Sequence, residues 1–407
     1  MESLDFIAGL THFDFAIGDP LNADQAMVLA IQCAYKGGPF VSPNPAVGCV
    51  ILNAQGKLLA KGHHEFFGGP HAEVNALKNL SHEDLKSAQV FVTLEPCAHQ
   101  GKTPSCAKAL AQLPIEKVVY GLIDPNPLVS GQGAEILRQA GIVVEEFEPR
   151  TELQKKIKTE LEEVCEVFLH NFRHKQVFTT IKMATSLDGQ MALSNGQSQW
   201  ITGSQARQHA HYLRSCYDAL VVGRKTIEND DPQLNIRHPD VQKNNRIVIL
   251  DPTGELDLQG KKVLSCHAAK DIFWCVQEGH PRHSQLQKQA EGLGVQLLTA
   301  RPWSGPHKPT MNQNIFDLAD LSSQLWSQGI RSLFIEGGAT SIAHCLQQNF
   351  AQRLCLYVAP QILGQGLSWT KGFSLDDINH RIHLQNPKHQ SLGSDIFWTG
   401  RLKNSHI

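Results

Sequence analysis

Val90-Phe91-Val92-Thr93-Leu94-Glu95-Pro96-Cys97 runs from an apolar, β-branched stretch into a proline and a cysteine, and Cys106-Ala107-Lys108-Ala109-Leu110 follows a short polar insert. We expect a strand over residues 90–94 and a helix over residues 106–113. Further strand-like runs and helical patterns occupy residues 24–36, 47–52, 57–62, 118–122, 135–140 and 143–146. This alternation predicts an α/β sandwich in the first half of the chain.

Length and charge limit the class of protein. The chain has 407 residues and a formal net charge of -2, which favours two or three domains and argues against a long nucleic-acid partner. The sequence has no apolar run of membrane-spanning length and no secretory leader, so we expect a cytoplasmic protein. In that reducing compartment we expect the ten cysteines to be buried thiols or metal ligands.

Composition also suggests domain limits. Residues 1–22 form an extension without clear periodicity, and residues 23–150 form the first domain. Residues 151–175 carry mixed charges around regularly spaced apolar positions, which indicates a solvated connecting helix. A second series of strands begins at residue 176, so we assign the second domain to residues 176–407. The segment 255–315 is rich in Pro, Gly and His and stays unassigned.

His71, Glu73, Cys97 and Cys106 form the first chemical motif. A histidine and two thiolates supply the three protein ligands of a catalytic zinc, which keeps a fourth position open for water. Glu73 need not be a ligand, because it can move protons beside that water, as the glutamate of zinc deaminases does. Two alternatives stay open: ordinary burial of these side chains, and a closed structural zinc site with His99 as fourth ligand.

The insert between the cysteines distinguishes among classes of deaminase. Nucleoside and nucleic-acid deaminases carry P-C-x-x-C, whereas eight residues separate Cys97 from Cys106. Residues 96–106 resemble the P-C-x-H-x-G-[RK]-T-P-x-C motif of the riboflavin-biosynthesis deaminases, although Ser105 replaces a proline of the usual T-P-P-C. The segments 44–50 and 124–127 resemble that family's N-P-x-V-G-x-V and D-P-N-P motifs.

This resemblance implies a cytidine-deaminase-like α/β/α sandwich with a zinc ion and a pyrimidine ribosyl phosphate as substrate. Glu73 would be catalytic, and the histidine and the two cysteines would hold the metal. The residues implied to line the substrate site are Asn44, His64, His99, Lys102 and Thr103. Lys102 and Thr103 suit a phosphate of about two negative charges. His63 is an alternative to His64, because it stands directly beside it.

The second half carries its motifs at residues 182–190, 198–203, 221–226, 229–237 and 333–340. In the last of them a strand passes through Gly337-Gly338 into a helix opened by Thr340 or Ser341. Free amides at such a helix start bind phosphate groups. The pattern is not G-x-G-x-x-G, so it does not indicate a Rossmann fold.

In combination these segments resemble the C-terminal reductase of the riboflavin pathway, which has a dihydrofolate-reductase-like α/β fold and uses NADPH. The resemblance extends over residues 23–370. The residues implied to contact NADPH are Thr185, Trp200, Thr226, Asp230, Gly338, Ala339, Thr340, Ser341, Ile342, Ala343 and His344. The residues implied to contact the ribosyl-phosphate substrate are Ser198, Arg214, Leu234, Arg237 and Glu336.

Simpler roles stay open for some of these residues. Arg214 and Arg237 can each form a fork on a phosphate, or each can belong to a structural ion pair. Trp200 can equally be a core residue. No residue of the second half stands out as a proton donor for a reduction.

The motifs therefore predict a bifunctional enzyme of riboflavin biosynthesis with zinc and NADPH as cofactors. Its first domain would deaminate 2,5-diamino-6-ribosylamino-4(3H)-pyrimidinone 5′-phosphate. Its second domain would reduce the ribosyl side chain to give 5-amino-6-ribitylamino-uracil 5′-phosphate. We expect a small-molecule substrate, no nucleic acid, no membrane and a homo-oligomer.

Two other interpretations stay open. One is a polynucleotide or nucleoside deaminase with an unrelated second domain, and the net charge and the cysteine spacing argue against it. The other is a ligand-binding regulator that keeps the fold without activity. The presence of all four zinc-motif residues argues against that interpretation for the first half, whereas the second half has no equally decisive residue.

Overall fold

The computed structural model of the chain describes residues 14–98, 105–126, 130–305 and 315–403. The chain divides into two compact units, Met1–Lys175 and Gln176–Ile407. Each unit builds strands and helices around a sheet of its own, so the α/β class is confirmed. Among the described residues, the helices are too short or too polar to traverse a lipid bilayer.

The first unit alternates strands with helices from residue 23 onwards. In chain order its elements are α1 (Ala23–Lys36), β1 (Gly48–Leu52), β2 (Leu58–His63), α2 (Ala72–Leu77), β3 (Ala88–Leu94), α3 (Cys106–Leu110), β4 (Ile115–Leu122), α4 (Gln132–Gln139), β5 (Val143–Glu146), α5 (Glu152–Val164) and α6 (Glu166–His174). Its described strands form a sheet in the order β2-β1-β3-β4-β5. In this sheet β1 is antiparallel to β2 and β3, whereas β3, β4 and β5 are parallel.

Alternate residues of β1 face two different cores. Val50 and Leu52 pack with α1, α5 and α6, whereas Cys49 and Ile51 pack with α2, α3 and α4 on the other face. This alternation follows from the two-residue period of a β-strand. The sheet is therefore buried on both faces, and the first unit is an α/β/α sandwich.

Residues 151–175 differ from the single solvated helix that their charge pattern predicts. They form two helices, α5 and α6, which meet at Cys165. Ile157, Leu161 and Leu169 are buried in the core of the first unit. Gly121 of β4 permits this packing, because a Cβ there would lie 2.5 Å from Leu161 Cδ2. The apolar stripe, and not the charge content, decides where this segment packs.

The second unit is larger. In chain order its elements are β6 (Phe178–Ser186), β7 (Gln190–Leu193), α7 (Ser204–Ser215), β8 (Ala219–Gly223), α8 (Arg224–Asp230), β9 (Arg246–Leu250), α9 (Lys262–Cys266), β10 (Ile272–Gln277), α10 (His283–Leu293), β11 (Gln296–Ala300), α11 (Leu318–Ser327), β12 (Ser332–Ile335), α12 (Ala339–Gln347), β13 (Arg353–Ala359), β14 (Gly366–Ser368), β15 (His383–Leu392) and β16 (Asp395–Lys403). Short 3-10 helices occupy Ala269–Asp271 and Ile378–His380.

In the described part of this unit, the main sheet has nine strands in the order β11-β10-β9-β8-β12-β6-β13-β16-β15. The strands from β11 to β13 are parallel, and β16 and β15 add antiparallel pairs at one end. Because β8, β12 and β6 are parallel neighbours, the segments that follow them emerge at the same edge of the sheet. In open α/β sheets this carboxyl edge is where ligands bind.

The unassigned segment 255–315 extends the second sheet with β10 and β11. The first five residues of β10 are all buried, so the strand lacks the alternation that marks a half-buried strand. Asp251, at the end of β9, accepts hydrogen bonds from the Leu256 amide at 3.0 Å and from the Trp274 indole at 3.1 Å. A buried carboxylate thus fixes the chain where it leaves β9 and enters this segment.

The packing of α5 can be tested by a pair of substitutions. Leu161 is 0% exposed, so Leu161→Ala should lower the free energy of unfolding by about 2–5 kcal/mol. Leu153 on the same helix is 50% exposed, and Leu153→Ala should change it by less than about 0.5 kcal/mol. Urea denaturation of the full chain measures both. If both variants lower the free energy of unfolding by the same small amount, α5 is not part of the core.

Candidate active sites

Side chains from three elements meet beside the first sheet. His71 directly precedes α2, Cys97 follows β3 and Cys106 begins α3. His71 Nδ1 lies 3.5 Å from Cys97 Sγ and 3.3 Å from Cys106 Sγ. A tetrahedral zinc with bonds of about 2.0–2.3 Å holds a nitrogen and a sulfur ligand about 3.5 Å apart. The three donor atoms therefore fit a zinc ion.

The start of α3 fixes Cys97. Cys106 N–H donates to Cys97 Sγ at 3.3 Å, and the Ser105 hydroxyl donates to the Cys97 carbonyl oxygen at 2.8 Å. The Cys106 thiol, with a smaller effect from His71, lowers the pKa of Cys97 to about 4. The same pairing raises the pKa of Cys106, so Cys97 is the first of the two thiols to ionise. Amide donors at a helix start favour a thiolate in the same way.

Glu73 lies in the first turn of α2 and is only 4% exposed. Burial raises the pKa of Glu73, and its carboxyl group also hydrogen bonds with the Cys106 thiol. A raised pKa lies closer to the pH at which an enzyme works, and a carboxyl group with such a pKa can both take up and return a proton. A proton-transfer group therefore lies beside the three donor side chains.

Asn44 and His64, both implied to bind substrate, are in contact. Asn44 Nδ2 donates to His64 Nε2 at 3.0 Å, and His64 Nδ1 donates to the Pro70 carbonyl oxygen at 2.9 Å. A carbonyl oxygen only accepts, so these contacts place the proton of His64 on Nδ1. The rings of His64 and His71 stand edge to face with centroids 5.5 Å apart, which favours His64 over His63 for this position. The implied substrate residues that lie outside the described part of the chain are His99, Lys102 and Thr103.

A carboxylate that is 13% exposed and two cations lie at the carboxyl edge of the second sheet. Glu336 directly follows β12 and accepts hydrogen bonds of 2.8 Å from both Nε and Nη2 of Arg214. Lys182 Nζ lies 4.0 Å from Glu336 Oε2, because Ile335 pairs with Ile181 and the next residue of each strand follows side by side. Burial alone would raise the pKa of Glu336, but Arg214 and Lys182 outweigh it and lower the pKa to about 2.

The two arginines expected to bind substrate differ in their surroundings. The fork of Arg214 is occupied by Glu336, and its Nη1 donates to the Asn235 carbonyl oxygen at 2.6 Å. Arg237 is exposed, and its Nη1 donates to Asn235 Oδ1 at 2.7 Å. Leu234 is only 6% exposed, so its side chain is packed against the protein. Arg214 therefore forms a structural ion pair, which was one of the two roles left open by the sequence. Arg237 is the more accessible cation for a phosphate.

Lys182 and His211 belong to this cluster, although neither was assigned a role from the sequence. Burial lowers the pKa of Lys182, and the Glu336 carboxylate opposes that effect. His211 Nδ1 accepts the Arg237 N–H at 3.2 Å. Burial, with Arg214 and Arg237 nearby, lowers the pKa of His211 to about 3, so this ring is neutral at pH 7. The spacing in the sequence could have indicated His211, because it precedes Arg214 by three residues and so lies on the same face of α7.

The residues implied to contact NADPH come from several strands and helices. Thr185 lies near the end of β6, Thr226 and Asp230 lie on α8 directly after β8, and Gly338–His344 follow β12. Because these strands are parallel neighbours, the residues lie along one edge of the sheet.

The helix after β12 begins slightly earlier than expected. Its N-cap is Gly338 and its first residue is Ala339, one or two positions before the expected start at Thr340 or Ser341. A Cβ at Gly337 would lie 2.7 Å from Ser341 Cβ, and one at Gly223 would lie 3.1 Å from Ser341 Oγ. The two glycines therefore allow the first turn of α12 to approach the end of β8 closely.

Trp200 and Ser198 lie on the exposed loop before α7. The Trp200 side chain is 66% exposed, so it is not a core residue. The Arg207 guanidinium lies over its ring, 4.5 Å from the centroid. An indole held in this way at the surface is accessible to a planar ligand.

Comparison with known proteins defines the class of enzyme. Residues 21–122 match the cytidine and deoxycytidylate deaminase zinc-binding region, and residues 177–398 match the RibD C-terminal domain. The chain is therefore a bifunctional enzyme in which a zinc-dependent deaminase precedes a reductase.

Relatives that cover almost the whole chain identify the family. The riboflavin biosynthesis protein RibD of Aquifex aeolicus is 35% identical over 370 residues, which are 91% of this chain and 96% of that protein. A structure of Acinetobacter baumannii RibD has a TM-score of 0.75 at 33% identity and covers 93% of this chain and 98% of its own. The Thermotoga maritima diaminohydroxyphosphoribosylaminopyrimidine deaminase/5-amino-6-(5-phosphoribosylamino)uracil reductase has a TM-score of 0.74 at 31% identity, with coverage of 93% and 98%.

The chain belongs to the RibD family of riboflavin biosynthesis. The predicted deaminase-plus-reductase fold, the bifunctional activity and the zinc and NADPH cofactors are confirmed. A nucleic-acid deaminase with an unrelated second domain, and a regulator without activity, do not fit this family.

The charge cluster of the second unit predicts a pH-dependent stability. Glu336→Gln leaves Arg214 and Lys182 without their anion, so it should lower the free energy of unfolding at pH 7 by about 3–5 kcal/mol. The pKa of Glu336 is about 2 when folded and about 4.3 when unfolded. Its stabilisation is therefore complete above about pH 4.3 and is lost as the pH falls towards 2.

Urea denaturation of wild type and variant at pH 7 and at pH 3 measures this effect. The difference between them should shrink at the lower pH. Glu278→Gln, at an exposed position of the same unit, is the control and should have little effect at either pH. A difference that stays constant with pH would contradict the assignment of the shift to Glu336.

Proposed function

We propose that the first domain deaminates 2,5-diamino-6-ribosylamino-4(3H)-pyrimidinone 5′-phosphate. The second domain then reduces the ribosyl side chain to give 5-amino-6-ribitylamino-uracil 5′-phosphate. The observation that carries the proposal is the set of His71, Cys97 and Cys106 donors at zinc spacing, with buried Glu73 beside them. The name of the Thermotoga maritima relative, which includes both activities, supports the same substrates.

In the deaminase site, His71 Nδ1 and the two cysteine Sγ atoms would hold the zinc ion, which supplies a nucleophile by lowering the pKa of a water to about 7. Glu73 would take a proton on its carboxylate and return it to the departing ammonia. His64 is held by the Pro70 carbonyl oxygen, and it orients Asn44 in turn. Asn44 can then use Oδ1 and its second N–H to orient the pyrimidine ring.

In the reductase site, Arg237 would bind the phosphate while Lys182 and Glu336 face the sugar. When bound, NADPH would supply the hydride. The amides at the start of α12 and the hydroxyl groups of Thr185 and Thr226 would bind its polar groups. Since burial lowers the pKa of Lys182, its ammonium group gives up a proton more readily than an exposed lysine. Glu336 stays ionised, since its pKa is lowered to about 2, so Lys182 would supply the proton while the Glu336 carboxylate orients its ammonium group.

An assay with two signals tests the proposed activity. Zinc-loaded enzyme supplied with the diaminopyrimidine substrate should release ammonia without NADPH, and it should oxidise NADPH when both are present. Ammonia release without any NADPH oxidation would show that only the first domain is active. Absence of both signals would reject the proposed substrate.

Glu73→Gln tests the proton-transfer role. Zinc should still bind, but ammonia release should fall by at least about 100-fold, because general acid–base catalysis contributes 10²–10⁴-fold. Glu65→Gln is the control, since it removes an exposed carboxylate nearby and should keep wild-type activity. Zinc content by atomic absorption and ammonia release give the two readings. Full activity of Glu73→Gln would contradict the assigned role.

Arg237→Ala tests the phosphate contact of the reductase. The KM for the deaminated substrate should rise about 10–100-fold, because a hydrogen bond to a charged group is lost. The Tm should hardly change, since Arg237 is exposed. Arg246→Ala is the control: Arg246 begins β9 at the amino edge of the sheet, so that variant should keep the wild-type KM. An unchanged KM for Arg237→Ala would remove Arg237 from the substrate site.

We also propose domain limits of 23–150 and 176–407, with residues 151–175 packed on the first domain, and a cytoplasmic homo-oligomer. The ten cysteines are all free, as expected in a reducing compartment. Ile396 and Trp398 of β16 are 41% and 37% exposed. Neighbouring apolar side chains at a surface support an interface between copies.

A further inference from the structure

Glu95 lies two residues before Cys97 and takes no part in the chemistry proposed above. Its side chain is buried, with 3% exposed. Oε2 accepts the Gly131 N–H at 3.0 Å and the Asp124 N–H at 3.4 Å, and Oε1 accepts the Ala134 N–H at 3.2 Å. One buried carboxylate thus ties the end of β3 to the loop after β4 and to the first turn of α4.

The start of α4 is fitted closely to the segment that carries Cys97. Gly131 is the N-cap of α4, and a Cβ at Gly133 would lie 1.9 Å from the Pro96 carbonyl oxygen. The Glu95 N–H donates to the Leu122 carbonyl oxygen at 2.8 Å. The first amides of a helix lack partners within the helix and carry partial positive charge, so a carboxylate is a favourable acceptor for them. Residues 95–97 are therefore held by β4 and α4 on one side and by α3 on the other.

We propose that Glu95 is a positioning residue for the zinc ion. Its carboxylate clamps the Pro96-Cys97 segment and thereby keeps Cys97 Sγ at ligand distance from His71 Nδ1. Zinc–ligand distances vary by only about 0.2 Å, so a small displacement of this segment weakens the site. This inference rests on the zinc ligands assigned in the proposed function.

Two substitutions separate the size of the Glu95 side chain from its ability to accept hydrogen bonds. Glu95→Gln keeps the size but replaces one acceptor oxygen by an NH₂ group, which cannot accept from an amide. Glu95→Asp keeps both oxygens on a shorter side chain. Residues that orient metal ligands contribute about 10–100-fold to metal affinity. We therefore expect Glu95→Gln to bind zinc about 10–100-fold more weakly, with Glu95→Asp between it and wild type.

The readouts use the full chain. Competition with a chromophoric chelator gives the zinc Kd, and the thiolate-to-metal absorption of the Co²⁺-loaded enzyme reports the geometry of the two sulfur ligands. For Glu95→Gln the cobalt absorption should shift as well as the zinc Kd. Should Glu95→Gln fail to fold, the same two measurements on Glu95→Asp decide the proposal.

Thr151→Ala is the matched control for helix capping. Thr151 caps α5 by accepting the Gln154 N–H at 3.2 Å, and α5 packs on the face of the sheet opposite α3 and α4. This variant should lower the Tm but keep the zinc Kd and the cobalt absorption of wild type. If Glu95→Gln behaves like Thr151→Ala, with a lower Tm and a zinc Kd within twofold of wild type, Glu95 only caps α4 and the proposal is overturned.

His71→Ala distinguishes failure of the clamp from failure of the proposed zinc site. Loss of zinc in His71→Ala with an unchanged Kd in Glu95→Gln overturns the role of Glu95 alone. Zinc binding by His71→Ala as tight as that of wild type would show that the ligand set is wrong, and the clamp proposal would fall with it.

Discussion

Parallel strand pairing is the constraint on which both catalytic centres depend. Because β3 and β4 run side by side in one direction, the segment with Glu95 and Cys97 emerges next to the loop with Asp124. The same rule operates in the second sheet, where the register of β6 and β12 sets Lys182 beside Glu336. Cys97 and Glu336 each follow the carboxyl end of a strand, where loops are free to carry chemistry. The other zinc-site residues lie at helix starts, and Lys182 lies within β6.

The two centres stabilise negative charge by different means. Around Cys97 the donors are the backbone amide and the thiol of Cys106, which favour ionised sulfur. Around Glu336 the donors are side-chain cations, and Arg214 alone contributes two hydrogen bonds. The first arrangement leaves lone pairs of sulfur for a soft metal ion. The second keeps a partly exposed carboxylate ionised, so that it can orient a polar substrate.

The sequence predicts some of these features well and others poorly. His71, Glu73, Cys97 and Cys106 can be found because their chemistry and short spacings occur together along the chain. The pair of Arg214 and Glu336 is a different case, because 122 positions separate its members and only the strand order brings them together. Strand β10 gave no signal, since a strand buried on both faces shows no polar alternation. For residues 151–175 the apolar spacing was visible in the sequence, but the many charges favoured a solvated connecting helix. The apolar stripe instead packs on the first sheet.

The apolar stripe of residues 151–175 also determines which part of the chain can fold as a separate deaminase domain. A fragment ending at residue 150 would retain His71, Cys97 and Cys106, but it would lose Ile157, Leu161 and Leu169, which cover one face of its sheet. Exposed apolar surface of this kind promotes aggregation. Evolutionary splitting of the two activities, or separate expression of the deaminase, therefore has to retain the chain through Lys175, the last residue of the first unit.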